Sequence, residues 1–256
     1  MIVLGIDVGG SGIKGALVET TTGELVSQRL RIDTPQPSVP TAVIEAMKSL
    51  VKKLDYRGPI GVGFPAIVDQ GVVRSAANVA REWIDYPAQE AMSAALGCEI
   101  SLLNDADAAG LAAISFGYGR DRPGAVLVFT LGTGIGSALF LDGRLVPNLE
   151  LGHLYLPGHE RDAEYYAADS ARKREKLSWA KWAERLNQYL GYIEFLFSPS
   201  LIILGGGVSK KHEEFIPHLN LRTEVVPAKL RNEAGIVGAA MAAAIAAAKT
   251  SPARSG

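Results

Sequence analysis

Cysteine is almost missing from this sequence: Cys98 is the one thiol in 256 residues. A single thiol excludes an intramolecular disulfide and a cysteine-rich zinc site, and it fits the reducing cytoplasm. A net charge of −1 excludes the broad basic field that binds nucleic acid. The longest apolar stretch, residues 234–248, is too short and too rich in alanine to span a bilayer. We therefore expect a cytoplasmic protein with no structural zinc and with neither nucleic acid nor a membrane as a partner.

Glycine, in contrast, is abundant and forms one signature twice. Residues 4–19 read LGIDVGGSGIKGALVE and residues 128–143 read VFTLGTGIGSALFLDG, each as strand, tight turn, strand. Successive N–H groups in such turns form a concavity that binds anions. One turn alone would be an ordinary hairpin, but two at matching places favour phosphate binding and phosphoryl transfer. The candidate residues are Asp7, Gly9, Gly10, Ser11, Gly12, Lys14, Gly132, Thr133 and Gly134.

The order of predicted elements also repeats. Three strands joined by short turns, then helices alternating with strands, occur before residue 110 and again after it. Hairpin-linked strands are antiparallel and helix-linked strands parallel, so each half predicts a mixed sheet with helices. We expect an α/β protein with domains at residues 1–110 and 111–233 and a cleft between them. The closing helix, residues 234–248, is expected to pack back on the first domain.

Polar residues that could do chemistry follow predicted strands. Asp105 either caps the helix that starts beside it, a role for which Asp107 competes, or acts as a general base. Asn78, Glu150 and His153 would suit sugar hydroxyls if they converged, although each alone is more typical of a structural hydrogen bond. Asp7 could hold Mg²⁺ or its water shell beside phosphates.

A basic run precedes and enters the long helix predicted at residues 178–197. It includes Arg172, Lys173, Arg174 and Lys176, and Lys210 follows a later glycine turn. From the residues alone, a solvated helix face is the favoured interpretation. The long helix carries a stripe of large apolar side chains, interpreted as a core face or a subunit interface.

These segments together resemble the ROK family of sugar kinases and repressors, in the actin-like ATPase superfamily, over nearly the whole chain. D-V-G-G-S-G-I-K-G and L-G-T-G-I-G-S-A-L resemble its two phosphate motifs. L-G-G-G-V-S resembles the motif beside the nucleotide and adds Gly206 and Gly207 to the phosphate-binding set. L-N-D-A-D-A-A-G resembles the catalytic segment, which makes Asp105 the implied base, and E-L-G-H resembles the sugar-binding segment. The implied fold is the duplicated actin-like ATPase, or ribonuclease H-like, fold.

Two departures from the family pattern matter. Residues 154–162 hold no cysteine where the wider family has a zinc cluster, so zinc is not implied and His153 is left for the sugar. Glu164 falls where the family has a sugar-binding glutamate. The chain starts directly at its first strand, without the helix-turn-helix of the repressors, so a repressor is not expected.

Residues 170–190, with the later S-P-S-L-I-I-L-G-G-G-V-S-K-K, are similar to the polyphosphate glucokinase branch, which includes polyphosphate/ATP glucomannokinases. This resemblance gives the basic run a role: holding a polyphosphate tail through Arg172, Lys173, Arg174, Lys176 and Lys210.

The resemblance implies a Mg²⁺-dependent kinase that phosphorylates the 6-hydroxyl of glucose from inorganic polyphosphate, with Asp105 as base. A homodimer is also expected. Two alternatives stay open: an ATP-dependent glucokinase or glucomannokinase, and a non-catalytic sugar sensor. The implied sugar contacts are Asn78, Asn104, Asp105, Glu150, His153 and Glu164.

Overall fold

The structure is a computed structural model that describes residues 1–250. It divides into two compact units, one formed by Met1–Ala112 with the chain from Glu233 onward, the other by Ala113–Asn232. Among the described residues, no helix is long and apolar enough to cross a bilayer.

The strands and helices of unit 1 are β1 (Ile2–Val8), β2 (Gly12–Glu19), β3 (Glu24–Leu25), β4 (Leu30–Asp33), α1 (Pro40–Lys53), β5 (Ile60–Phe64), β6 (Val68–Asp69), β7 (Val72–Val73), α2 (Ala88–Leu96), β8 (Ile100–Asn104), α3 (Asp105–Phe116, which continues into unit 2) and α7 (Ala234–Thr250).

The main sheet of unit 1 is mixed, with strand order β3-β2-β1-β5-β8 and β4 also paired to β2. β2 runs antiparallel to β1, whereas β5 is parallel to both β1 and β8. All five residues of β5 are buried, as expected for a central strand covered on both faces. Because β1, β5 and β8 are parallel, β1 and β8 end at the same edge of the sheet, at Val8 and Asn104.

Helix α7 packs against β1, β5 and β8 at unusually close range. A Cβ on Gly5 would overlap the carbonyl oxygen of Ile236, and a Cβ on Gly61 would overlap that of Ala239. The alanine-rich sequence of α7 thus serves backbone-to-backbone packing, with Ile236 and Val237 fully buried.

Unit 2 repeats the arrangement. Its sheet has the order β11-β10-β9-β12-β13, with β10 antiparallel to its neighbours and β12 parallel to β9 and β13. A hairpin followed by parallel strands is therefore common to both sheets. The elements are β9 (Ala125–Leu131), β10 (Ile135–Leu141), β11 (Arg144–Val146), α4 (Ala163–Ala167), α5 (Asp169–Arg174), α6 (Trp179–Phe197), β12 (Leu201–Gly205) and β13 (Val225–Pro227).

The apolar stripe of α6 belongs to the core of unit 2. Trp182, Leu186, Tyr189 and Ile193 are fully buried and pack with Phe215 and strands β9 and β12. Of the two interpretations left open for the stripe, the core face is confirmed, so it gives no support to a dimer.

Sequence periodicity predicts one strand at residues 24–32, a helix at residues 163–171 and a helix at residues 210–219, and the structure differs at each. The strand expected at residues 24–32 is two strands, because the Oγ of Ser27 replaces a backbone carbonyl in accepting from Leu17 N–H at 2.9 Å. The helix expected at residues 163–171 breaks at Ala168, whose ψ is 160°, and α5 then begins with Ser170 N–H bonded to the Gly132 carbonyl at 3.1 Å. Residues 207–214 and 216–218 are 3₁₀ turns.

Candidate active site

The first glycine turn joins β1 to β2, and side-chain hydrogen bonds hold two of its backbone carbonyls in place. Thr34 Oγ1 donates to the Gly9 carbonyl at 2.5 Å, and Arg31 donates to the Ser11 carbonyl at 2.9 Å. Gly10 and Ser11 are exposed, and within residues 1–250 their N–H groups have no acceptor. Unpaired N–H groups on a braced turn are what an anion site needs. The exposed Asn78 lies beside this turn, since a Cβ on Gly10 would be 3.4 Å from its carbonyl oxygen.

Asp7 and Lys14 face each other across β1 and β2. Lys14 Nζ donates to Asp7 Oδ2 at 3.0 Å, and both side chains are half-buried. The start of α7 crowds the carboxylate, because a Cβ on Gly235 would come within 3.0 Å of Asp7 Cγ. Asp7 is therefore held in place directly behind the first turn, with a cation beside it.

The junction of β8 and α3 shows which residue caps the helix. Asn104 Oδ1 accepts from the N–H groups of Ala106 and Asp107 at 2.8 and 3.1 Å, and Asn104 Nδ2 donates to the Ala66 carbonyl. Asn104 is thus the N-cap, although sequence reasoning had divided this role between Asp105 and Asp107. Asp105 is half-buried and its Oδ1 accepts from Ala106 N–H at 2.8 Å. A sugar contact by Asn104 stays a prediction, since three hydrogen bonds already engage its amide.

The second glycine turn, in unit 2, is braced by a carboxylate. Glu164 Oε2 accepts from Ile135 N–H at 2.8 Å, and a Cβ on Gly134 would overlap that carboxylate. Thr133, at the tip, is exposed. Gly206 packs behind the turn with φ +80°, where a Cβ would overlap the backbone of Leu131. Close packing thus requires glycine at position 206, whereas a Cβ at position 134 would displace the Glu164 carboxylate.

The E-L-G-H segment is anchored on β10. Ser137 Oγ donates to the Leu149 carbonyl at 2.8 Å and accepts from Leu151 N–H at 2.9 Å. Gly152 lies so close to β10 that a Cβ would overlap the Ile135 carbonyl oxygen. This anchoring places Glu150 and His153 at the two ends of a short 3₁₀ turn.

Acidic groups surround His153. Its Nδ1 lies 2.9 Å from Asp162 Oδ2, and this hydrogen bond is the main cause that raises the pKa of His153. Burial raises the pKa of Glu150, an effect that His153 opposes and Glu164 reinforces. Carboxylates and an imidazole in one cluster can accept from and donate to several hydroxyls. Unit 2 therefore brings together three of the predicted sugar contacts: Glu150, His153 and Glu164.

The basic segment is less available for an anion than its sequence indicates. The buried Asp169 pairs with Arg172 at 2.8 Å and with Lys173 at 2.6 Å. Arg174 pairs with Glu175 at 2.7 Å, and Arg174 and Arg185 together lower the pKa of Glu175 to about 2. Arg172 also lies over the ring of Trp179. Within residues 1–250, the exposed side chains of Lys176 and Lys210 have no ion-pair partner.

The match to a family model now decides the assignment. The model of the ROK family matches residues 3–164, more than half of the chain. The matched range includes both glycine turns, Asp105 and the cluster of Glu150, His153 and Glu164. The chain belongs to the ROK family. Known relatives support the same assignment, and the duplicated actin-like ATPase fold predicted from the sequence is confirmed.

One ROK relative is named polyphosphate glucokinase, from Mycobacterium tuberculosis strain H37Rv. It is 48% identical over 239 residues, which cover 93% of this chain and 89% of that protein. The crystal structure of an inorganic polyphosphate/ATP-glucomannokinase from Arthrobacter sp. strain KM has a TM-score of 0.90 at 50% identity, covering 96% of this chain and 99% of that one. A ROK glucokinase from Streptomyces griseus, at 23% identity and a TM-score of 0.80 over 96% and 100% of the chains, shares the fold.

Sequence reasoning missed Asp162 and Arg161. Asp162 is the N-cap of α4 and the partner of His153, and Arg161 lies 3.4 Å over the Tyr165 ring. The available signal for Asp162 was an aspartate directly before a short helix, a common N-cap. Its second contact, nine residues away, has no local signature.

Proposed function

We propose that this ROK chain transfers the terminal phosphoryl group of inorganic polyphosphate to the 6-hydroxyl of glucose. The observation that carries the proposal is the likeness, over more than nine-tenths of the chain, to a polyphosphate glucokinase and a polyphosphate/ATP-glucomannokinase. The two glycine turns, and the cluster of Glu150, His153 and Glu164, supply the groups that such a reaction requires.

The proposed chemistry divides between the two units. In unit 1, Asp105 accepts the proton of the 6-hydroxyl as that oxygen attacks the terminal phosphorus. The bond from phosphorus to the bridging oxygen breaks, which leaves glucose 6-phosphate and a polyphosphate one unit shorter. Because the transition state is loose, positioning and charge stabilisation carry most of the catalysis. Backbone N–H groups of both turns offset charge on the phosphates, and Lys14 adds a cation.

Glucose recognition rests on side chains that accept hydrogen bonds and on side chains that can also donate them. Glu150 and Glu164 accept from sugar hydroxyls, and His153 and Asn78 can donate or accept. Glu164 has a second function, because its Oε2 holds the second glycine turn through Ile135 N–H. The same carboxylate would therefore link sugar binding to the shape of the phosphate turn.

The residues present fit a magnesium ion that is bound largely by its substrate. Within residues 1–250, no group of three or more His, Cys, Asp or Glu side chains is arranged to hold a metal. Mg²⁺ in phosphoryl-transfer sites commonly uses one or two carboxylates plus substrate phosphates, so Asp7 alone suffices. When bound, Mg²⁺ would neutralise charge on the donor phosphates.

The donor test compares polyphosphate and ATP at equal phosphoryl concentration, with Mg²⁺ and with glucose or mannose. We expect turnover with polyphosphate and glucose, measured as sugar phosphate by ion chromatography. ATP is a second candidate donor because Gly206 and the open Gly207 resemble a nucleotide motif and the Arthrobacter enzyme's name includes ATP.

Turnover with ATP alone would replace the proposal by an ATP-dependent kinase. Formation of mannose phosphate would add mannose to the substrates. Absence of turnover with either donor, together with measurable glucose binding, would contradict the enzyme and favour a sugar sensor.

For the polyphosphate tail we propose that Lys176 and Lys210 contribute more than Arg172, Lys173 and Arg174. The latter three already bond to Asp169 or Glu175, so a phosphate would have to compete with those carboxylates. Polyanion binding of this kind depends on salt, because each contact releases counterions.

Neutralising both free lysines, Lys176→Gln with Lys210→Gln, is expected to raise KM for long-chain polyphosphate by roughly fivefold, from the loss of near-surface charge contacts. KM for tripolyphosphate should change less, because a short donor does not reach the tail site. The matched control is Lys181→Gln, an exposed lysine paired with Glu184. Equal effects on short and long donors would contradict tail binding.

A homodimer and a cytoplasmic location complete the proposal. The outer side of α6 exposes Phe195 by 74% and Leu196 by 50%, and Phe195 stacks on Tyr192. Clustered exposed apolar side chains are typical of protein interfaces. The mass in solution, against 27.1 kDa for one chain, tests the dimer, and the free thiol of Cys98 fits a reducing compartment.

A further inference from the structure

A short hairpin returns the chain from His153 to the start of α4. Ala163 N–H donates to the Leu154 carbonyl at 2.8 Å, and Tyr155 forms an isolated antiparallel bridge with Asp162. These backbone contacts bring two side chains nine residues apart to hydrogen-bond distance. The pairing of His153 with Asp162 is therefore built into the backbone path.

Asp162 is itself fixed by the helix it begins. Its Oδ1 accepts from Tyr165 N–H at 3.0 Å, while its Oδ2 lies 2.9 Å from His153 Nδ1. An ionised carboxylate only accepts hydrogen bonds, so the proton between the two residues resides on Nδ1. The other ring nitrogen, Nε2, is the one left to a ligand.

The charged groups around His153 come from two segments. Asp162 and Glu164 lie at the start of α4, Glu150 precedes the 3₁₀ turn, and Arg161 acts on Asp162. All three carboxylates favour the imidazolium, and only burial of the ring opposes them. Burial raises the pKa of Asp162, but hydrogen bonds from His153 and Tyr165 outweigh it and keep the carboxyl ionised.

We propose that Asp162 is a positioning residue that holds the Nδ1 proton of His153 and so presents Nε2 to a sugar hydroxyl. Neutral His153 then accepts from the hydroxyl through Nε2, and protonated His153 donates to it. This inference rests on the proposed function for its ligand. The geometry of the pair stands without it.

The deciding variant is Asp162→Asn, because asparagine keeps an acceptor for Tyr165 N–H and is an equally good N-cap. Its amide would donate to Nδ1 and reverse the neutral tautomer, as the same exchange does in a Ser-His-Asp triad. We expect the pKa of His153 to fall and its neutral ring to carry the proton on Nε2. Imidazole ¹⁵N NMR of the full chain without ligand measures both. The His153 signals among four histidines are assigned with His153→Gln.

In kinetics, Asp162→Asn should raise KM for glucose about tenfold, from the loss of one well-oriented hydrogen bond, with a smaller change in kcat. A double-mutant cycle with His153→Gln isolates the route of the effect. If Asp162 acts through His153, then Asp162→Asn has no further effect in the His153→Gln background. An equal effect in both backgrounds would overturn the proposal.

The wild-type ring gives a test that needs no variant. At a pH above the pKa of His153, the Nδ1-protonated tautomer supports the proposal, and the Nε2-protonated tautomer overturns it. If the chain phosphorylates no sugar, the proposed function fails while the tautomer still decides the role of Asp162. A glucose titration that perturbs the Nε2 resonance would connect the two.

Discussion

Asp105→Asn is expected to lower turnover by roughly 10²-fold or more, because asparagine cannot accept the proton of the 6-hydroxyl. Sugar affinity should be largely kept, so the loss appears in kcat rather than in glucose binding. The variant also preserves the local fold, since an amide oxygen can accept from Ala106 N–H as the carboxylate does. Initial rates with polyphosphate and Mg²⁺, together with a calorimetric glucose titration, separate the two effects.

The cap geometry makes this substitution interpretable. Asn104, not Asp105, satisfies the first N–H groups of α3, so a loss of activity is not a loss of the helix start. Asp55→Asn is the matched control, because Asp55 has φ +45°, a conformation that asparagine tolerates. Its turnover should equal that of the unchanged chain. Near-normal turnover of Asp105→Asn would remove this carboxylate from the mechanism.

Gly61→Ala is expected to destabilise the protein by about 3 kcal/mol or more, or to prevent folding, since overpacking against rigid backbone is among the costliest core changes. The new Cβ would overlap the carbonyl oxygen of Ala239, and the Ala239 carbonyl carbon and Ala240 nitrogen also lie close. Relief would require α7 to move away from β5. The midpoint of denaturant unfolding measures the effect, and soluble yield reports the extreme case.

The same substitution at Gly191 is the control. Gly191 lies inside α6 and has only Leu221 Cδ2 near its missing Cβ, at 3.9 Å. Alanine there should raise stability by up to about 1 kcal/mol, the helix-propensity difference from glycine. Equal stability changes at the two positions would show that α7 does not press on β5 as described.

Sequence patterns predicted most of the fold because the signals were periodic or repeated. Two glycine turns in equivalent places identified two equivalent sheets, and the buried strands read as short apolar runs. The misses arose where a side chain replaced a backbone partner. Ser27 Oγ interrupts a strand, and nothing in the local pattern at residues 24–32 distinguishes that role from an ordinary solvent-facing serine.

The site was predicted unevenly for a similar reason. Motifs located Glu150, His153 and Glu164, which the structure brings together, but the contacts that define their roles span longer distances. The hydrogen bond between His153 and Asp162, nine residues apart, shows this most clearly. The basic segment differs for another reason, because a charge count does not say which cations a buried carboxylate already holds. Asp169 lies three and four residues before Arg172 and Lys173, a helical spacing at which such ion pairs form.

The path of the chain through unit 1 has a consequence for synthesis on the ribosome. Its sheet is made from the first 104 residues, yet α7, which packs on that sheet, begins only at Ala234. Unit 2 is one continuous segment that emerges in between and can fold as it appears. The first sheet to be translated is therefore the last to be completed. Until α7 has left the exit tunnel, the face of β1 and β5 that carries Gly5 and Gly61 stays uncovered. Chaperones would have to protect that surface.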